Sequence, residues 1–240
     1  MISREISWGG TRFRVIDLTH PLKLEQEVYP GDSNPKRTVF SDIRKDGWQH
    51  YIHELGDHHF QPHADAPNHH NPEMQQRGIE YFGLEHALNA AVLIDLSGAA
   101  EAKILRGIRY LREITRSDLE PYESKLREVG AVLVRTGYDH WLEKNLPHDP
   151  EAIPGFSEEA AAYLAALKNL KVVGTDSLSV DLHGNDRAHH HLTEKLIVEC
   201  LVHLHAIPVK ARNSFDLQTS PVRIAGATGG PVVAYAWIKI

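Results

Sequence analysis

Polar and apolar residues alternate over residues 11–19 (Thr-Arg-Phe-Arg-Val-Ile-Asp-Leu-Thr) directly after Gly9-Gly10, the pattern of a strand that follows a turn. His20-Pro21 ends that strand, and Val28-Tyr29-Pro30-Gly31-Asp32 reads as a turn from its Pro-Gly step. Three short apolar runs, residues 91–96, 130–134 and 171–176, predict buried strands. Residues 101–128 mix charge with Ile and Leu at helix-like spacings, and Ser117-Asp118-Leu119-Glu120 before Pro121 predicts a boundary between two elements there. Ser157 followed by Glu158, Glu159 and three alanines is a helix start with an N-cap serine, and the helix is expected to run to about Asn169. The β-branched and aromatic run over residues 231–238 predicts a terminal strand. Strands alternating with helices give an α/β class, and the absence of repeats, low-complexity tracts or a linker predicts one domain over residues 1–240.

Composition narrows the function more than the fold. The chain has 240 residues, enough to bury a sizeable core, with 42% hydrophobic and 24% charged residues. A net charge of −6 and a pI near 6.3 provide no basic footprint for nucleic acid or an anionic membrane. No apolar run approaches the roughly 20 residues that span a bilayer, and the N-terminus lacks a signal peptide's apolar core. The single cysteine, Cys200, forms no internal disulfide and suits a reducing compartment, so a cytoplasmic location is expected.

Seventeen histidines are the compositional oddity, and they cluster. The stretch Asp57-His58-His59-Phe60-Gln61-Pro62-His63-Ala64-Asp65-Ala66-Pro67-Asn68-His69-His70 concentrates imidazole and carboxylate, the usual ligands of zinc, manganese or iron. Pro62 and Pro67 argue against a helix and for an extended backbone. In a strand His59, His63, Asp65 and His69 would share one face. A straight strand would hold His59 and His63 about 13 Å apart at Cα, so a curved loop or bulged strand bending near Gln61-Pro62 is expected.

This stretch resembles the His-x-Gly-Thr-His-x-Asp-Ala-Pro-x-His signature of the metal-dependent cyclase/hydrolase family that includes bacterial kynurenine formamidase and isatin hydrolase. Gln61-Pro62 stands where the family has Gly-Thr. Two N-terminal pieces resemble the same family, Asp17-Leu18-Thr19-His20-Pro21-Leu22 and Tyr29-Pro30-Gly31-Asp32, as does Arg135-Thr136-Gly137 after a core strand. Further on, Gly174-Thr-Asp176-Ser-Leu-Ser-Val-Asp181, Ala188-His189-His190-His191-Leu192 and Ile197-Val-Glu199-Cys200-Leu201 resemble its remaining elements in order, with a shorter His-to-Glu connection and Cys200 in place of Asn.

By this resemblance His59, His63, Asp65, His189 and Glu199 are metal ligands, His69 is the acid/base histidine, and Tyr29 lies at the substrate pocket. Tyr29 could equally pack beside its own turn. Asp176 and Asp181 read as supporting or loop-shaping residues, and His58, His70, His190 and His191 as solvated histidines. Cys200 reads as a buried small hydrophobe beside an apolar helix face. The resemblance further implies a swivelling β/β/α-type fold, with a mixed sheet flanked by helices, and assembly as a homodimer or homotetramer.

One or two divalent ions, zinc or manganese, would then activate water for attack on an amide-type carbonyl of a small molecule. The first substrate expectation is N-formylkynurenine, giving kynurenine and formate. The alternatives are opening of a cyclic imide, lactam or lactone such as isatin, a catalytically silent metal- or metabolite-binding module, and a metal-independent cyclase.

Overall fold

The computed structural model describes residues 2–25, 27–55 and 62–240. Strands β1 (Ser3–Trp8) and β2 (Thr11–Asp17) form a hairpin turned by Gly9-Gly10, whose φ values of 56° and 77° suit glycine. A second hairpin, β3 (Lys36–Ser41) and β4 (His50–Glu54), is connected through the one-turn helix α1 (Ile43–Asp46). The short strand β5 (His63–Asp65) follows, then β6 (Leu88–Asp95), the hairpin β7 (Lys103–Leu105) and β8 (Ile108–Tyr110), and β9 (Glu113–Ile114). Beyond them come α2 (Arg116–Leu119), α3 (Glu123–Leu126), β10 (Ala131–Arg135), α4 (Asp139–Glu143), β11 (Gly155–Phe156) and α5 (Glu158–Ala166). The chain ends with β12 (Val172–Thr175), α6 (Arg187–Leu192), β13 (Leu196–Glu199), β14 (Phe215–Pro221) and β15 (Gly229–Lys239).

The main sheet runs β1-β2-β15-β14-β6-β10-β12-β13-β5, and β15 also pairs with β5. That last pairing, Gly229 with Asp65 and Pro231 with His63, closes the strands from β15 round to β5 into a barrel. Strands β6, β10, β12 and β13 are parallel to one another and the remaining pairs of this sheet are antiparallel, giving the mixed α/β class the sequence predicts.

Alternation sorts the strand residues into two cores. Ala131 and Leu133 of β10, with Leu196 and Val198 of β13 and Ala64 of β5, join one cluster on one face of the sheet. Val132 and Val134, with Ile197 of β13, join Ala160 and Leu164 of α5 and Ala188 and Leu192 of α6 on the other face. The parallel strands are therefore buried on both faces, which is why they read as unbroken apolar runs. His63 and Asp65 flank Ala64 and so face the side of the sheet that α6 covers. No helix is long and apolar enough to cross a membrane among the described residues.

Three local expectations need correction. Residues 103–114 are strands, not helix, because Arg106-Gly107 takes left-handed φ values of 50° and 77° and turns the chain into a hairpin. The helix that Ser157 caps, by accepting from Ala160 N at 3.2 Å, ends at Ala166, where Leu167 turns extended. Cys200 is buried as expected but follows strand β13, not a helix, and it takes a φ of 59°. That left-handed region is tolerated by Asn, the residue of the resembling motif, better than by most others. The bend expected at Gln61-Pro62 falls at the edge of the described residues.

Candidate metal centre

Four buried side chains converge between the sheet and α6. Glu199 of β13 stands directly across from His63 of β5 in the strand register, so both project from the same face, and Asp65 joins them two residues along. His189 enters from α6. The relative exposures of His63, Asp65, His189 and Glu199 are 0%, 2%, 5% and 1%, so water does not solvate these charges.

The arrangement alternates imidazole and carboxylate. His63 Nε2 lies 3.4 Å from Asp65 Oδ1 and 3.2 Å from Glu199 Oε2. His189 Nε2 lies 3.2 Å from Asp65 Oδ2 and 3.6 Å from Glu199 Oε1. Each carboxylate thus turns one oxygen to each imidazole. Among the described residues neither carboxylate pairs with Lys or Arg.

The titration directions reflect that isolation. Burial alone would lower the His189 pKa, but hydrogen bonds to Asp181 and Asp65 and the charge of Glu199 outweigh it and carry it to about 10. His63 is likewise raised well above the ordinary imidazole value, burial being overcome first by the charge of Asp65. Burial would raise Asp65, yet the His63 charge holds it well below the carboxylate range, while burial and the Asp65 charge push Glu199 up. A pair of carboxylates this deep needs positive charge. Protons on the two imidazoles supply it in the protein alone, and a divalent cation would supply it without them.

The donor set fits such a cation. Two imidazole nitrogens with two carboxylates is a ligand chemistry of zinc, manganese and iron. Metal–ligand bonds of about 2.0–2.1 Å in a tetrahedron place neighbouring ligand atoms roughly 3.3 Å apart; His63 Nε2 lies 3.4 and 3.2 Å from its two carboxylate oxygens, and one ligand atom each of His63, Asp65 and Glu199 lie within 4.8 Å of one another. Asp65 Oδ1, although buried, accepts no hydrogen bond among the described residues, as expected of an oxygen reserved for an ion.

The surroundings fix these groups. Asp181 Oδ2 is 2.5 Å from His189 Nδ1 while its Oδ1 accepts from Ala188 N at 2.6 Å, so one carboxylate both starts α6 and aims His189 Nε2 inward. Val180 N donates to Glu199 Oε1 at 2.5 Å. Gly155 lets this loop approach, since a Cβ there would lie 2.4 Å from the Asp181 carbonyl carbon and the Leu182 nitrogen. Asp176 has the loop-shaping role expected of it. It accepts from Thr136 N and Oγ1, Gly137 N and Asp139 N and pins the Arg-Thr-Gly turn.

The other expected site residues fall at different distances from this ring. His69 is half-buried, its ring centroid 5.7 Å from that of His189. Tyr29 is half-buried beside the core that holds Tyr138, Trp141 and Cys200, and burial, with the charges of Glu199 and Asp181, raises its phenol pKa. His190 and His191 are exposed and pair with Asp186 and Glu158. His58 and His59 lie outside the described residues. His70 departs from the solvated role expected of it, for it is half-buried and its ring stacks on His189 at 4.1 Å. No local signal in the sequence distinguishes it from its neighbours.

Ligand-type atoms of His69, His70 and His189 also lie within 4.8 Å of one another, and a third group surrounds α4, where those of Asp139, His140, Glu143 and His205 do the same. This third group is built around Arg135. The guanidinium donates through Nε to Asp139 Oδ2 at 3.0 Å, through Nη1 to Asp95 at 3.2 Å, and through Nη2 to His140 Nε2 at 3.0 Å.

The sequence profile of the putative cyclase family matches residues 16–182, and the chain belongs to that family. The match spans His63, Asp65 and Asp181, whereas His189 and Glu199 lie beyond it. The fold is shared with isatin hydrolase A from Labrenzia aggregata, at 24% identity over 95% of this chain and 94% of that one, with a TM-score of 0.74. Isatin hydrolase A from Ralstonia solanacearum is similar at 21% identity, 94% and 92% coverage and a TM-score of 0.72. A potential metal-dependent hydrolase with cyclase activity is similar at 22% identity, 95% and 99% coverage and a TM-score of 0.72. No curated protein matches the sequence.

Proposed function

We propose that the protein is a metal-dependent hydrolase of an amide-type carbon–nitrogen bond, with His63, Asp65, His189 and Glu199 holding a zinc or manganese ion. The observation that carries this reading is the buried ring of alternating imidazoles and carboxylates, with 3.2 to 3.6 Å edges and no Lys or Arg partner among the described residues. His59, outside the described residues, remains in the proposed ligand set by resemblance and leaves room for a second ion.

When bound, a divalent ion lowers the pKa of water from about 15.7 toward 7 and polarises a carbonyl oxygen. The chain's own groups do the rest. Asp181 keeps the proton on His189 Nδ1, so that Nε2 presents its lone pair inward. His69, beside His189 but outside the ring, carries a proton to the leaving nitrogen, the role that imidazole most often fills in general acid–base catalysis. Tyr29, packed against the cluster that holds Cys200, the residue after Glu199, offers a hydroxyl to the substrate carbonyl.

N-formylkynurenine is the first substrate assignment, from the sequence motifs. Isatin is the second, favoured by the names of the structural neighbours. In both, the bond to be cleaved joins a carbonyl to an aromatic amine nitrogen. Homo-oligomerisation is part of the reading, supported by the β3–β4 ribbon, which exposes Val39, Phe40, Tyr51 and Ile52 and as two strands alone would be marginal in water.

Elemental analysis with turnover of both substrates, before and after chelation and with His69→Ala, tests the proposal. Stoichiometric metal with chelator-sensitive, His69-dependent turnover is expected. Metal without turnover on either substrate would favour a binding module, turnover unaffected by chelator would favour a metal-independent cyclase, and absence of metal would remove the site assignment.

A further inference from the structure

Asp181 holds the His189 ring through Nδ1 alone, its other bond being to the His189 backbone nitrogen. Hydrogen bonds hold Nδ1 to Asp181 and Nε2, at 3.2 Å, to Asp65 Oδ2, but neither sets the plane of the ring, and a tilt of that plane turns the Nε2 lone pair away from Asp65 and Glu199. The ring of His70 covers this degree of freedom. It stacks on the His189 ring with centroids 4.1 Å apart and planes 29° apart, while His69 meets the edges of both, at 4.3 Å from His70 and 5.7 Å from His189.

The loop that carries His70 is itself held on several sides. His69 N donates to Ala66 O at 3.0 Å, and Asn68 N donates to Arg77 O at 3.2 Å. Asn68 Nδ2 donates to Gly226 O at 3.3 Å, and Thr193 Oγ1, just past α6, donates to Pro67 O at 3.4 Å. That last bond ties the loop to the helix that carries His189. The backbone leading to His70 is thus held, and the His70 ring lies between His69 and one face of His189.

We propose that His70 is a positioning residue for the metal centre, acting by its stacked ring to set the plane of His189 and so the direction of Nε2. This rests on the metal-centre reading above. The role needs a flat ring, not a nitrogen, and that separates it from ligation or proton transfer by His70.

The test uses the full-length protein loaded with Co²⁺, whose visible absorption reports ligand geometry, with Co²⁺ affinity measured by chelator competition for wild type, His70→Ala and His70→Phe. His70→Ala is expected to weaken Co²⁺ binding by about tenfold or more, the range of residues that orient a metal ligand, and to shift the visible bands. His70→Phe is expected to hold affinity within about twofold and to keep the wild-type bands, because a phenyl ring stacks as imidazole does. Thermal unfolding of the metal-free proteins checks that neither effect is a loss of fold. Wild-type binding in His70→Ala overturns the inference while leaving the metal centre intact. Loss in His70→Phe equal to that in His70→Ala also overturns it, by assigning the function to a nitrogen. A wild-type protein that takes up no Co²⁺ overturns both readings.

Discussion

Two clusters of the same residue types, a buried one under α6 and a second around α4, solve the problem of close carboxylates in opposite ways. Around α4 the cation is covalent. Arg135 lies among Asp95, Asp139 and His140, and although burial would raise Asp139, its bonds to His205 and Arg135 hold its pKa down at about 2. Under α6 no guanidinium or ammonium pairs with Asp65 or Glu199 among the described residues, and the neighbours that face them are imidazoles. An Arg cannot leave, so the α4 cluster is a permanent ion-pair network. Imidazoles can give up their protons to an ion, so under the proposed function the α6 cluster is exchangeable. A ligand-type composition is thus common to both, and the source of positive charge separates them.

The strongest way to break the comparison is to remove one carboxylate of the exchangeable cluster. Glu199→Gln is expected to lose bound metal and to slow hydrolysis on the order of 10³-fold or more, since water without the ion keeps a pKa near 15.7. Metal analysis beside turnover of the substrate panel reads both, and metal retained at wild-type stoichiometry would remove Glu199 from the centre.

Next in size is the corresponding cut in the permanent cluster. Asp139→Asn leaves Arg135 short of a buried partner and is expected to cost about 3–5 kcal/mol of stability in urea unfolding, with metal content per folded molecule unchanged. The same pair has a pH signature. Because the folded pKa of Asp139 is depressed from the ordinary 3.8 to about 2, its stabilisation is complete above pH 4 and disappears as pH falls through that window. The wild type should therefore lose stability between pH 4 and 2 more steeply than Asp139→Asn, and superimposable curves would refute the assignment.

A smaller effect is expected one step out from the α6 ring. Asp181→Asn removes the charge that orients His189 and should weaken metal binding about 10–100-fold without abolishing it. Smallest of all are His190→Ala and His191→Ala, whose rings are exposed beside the buried His189. Metal affinity within about twofold of wild type is expected, as for surface positions generally. A larger loss in either would mean that the ligand on α6 is not His189.

Much of the barrel was legible before folding, because its signals are local. The apolar runs that became β6, β10 and β12 are buried on both faces, the Ser157 cap is a single hydrogen bond three residues long, and alternation alone put His63 and Asp65 on one side of a strand. The hairpin at Arg106-Gly107 was misread because its charged and apolar residues also satisfy a helical spacing over so short a span.

What the sequence determined by itself is therefore the strands β2, β6, β10, β12 and β15, the shared face of His63 and Asp65, and the ordered motifs that place the chain in its family. Only the tertiary structure decided that Glu199 stands across from His63, that Asp181 aims His189, and that His70 stacks on it, while it buries the histidine that the motif selects from the His189-His190-His191 run. The reason is range. Periodicity and caps act within a few residues, whereas these contacts join β5, its following loop, α6 and β13, segments that come together only when the barrel closes and α6 packs on its outside.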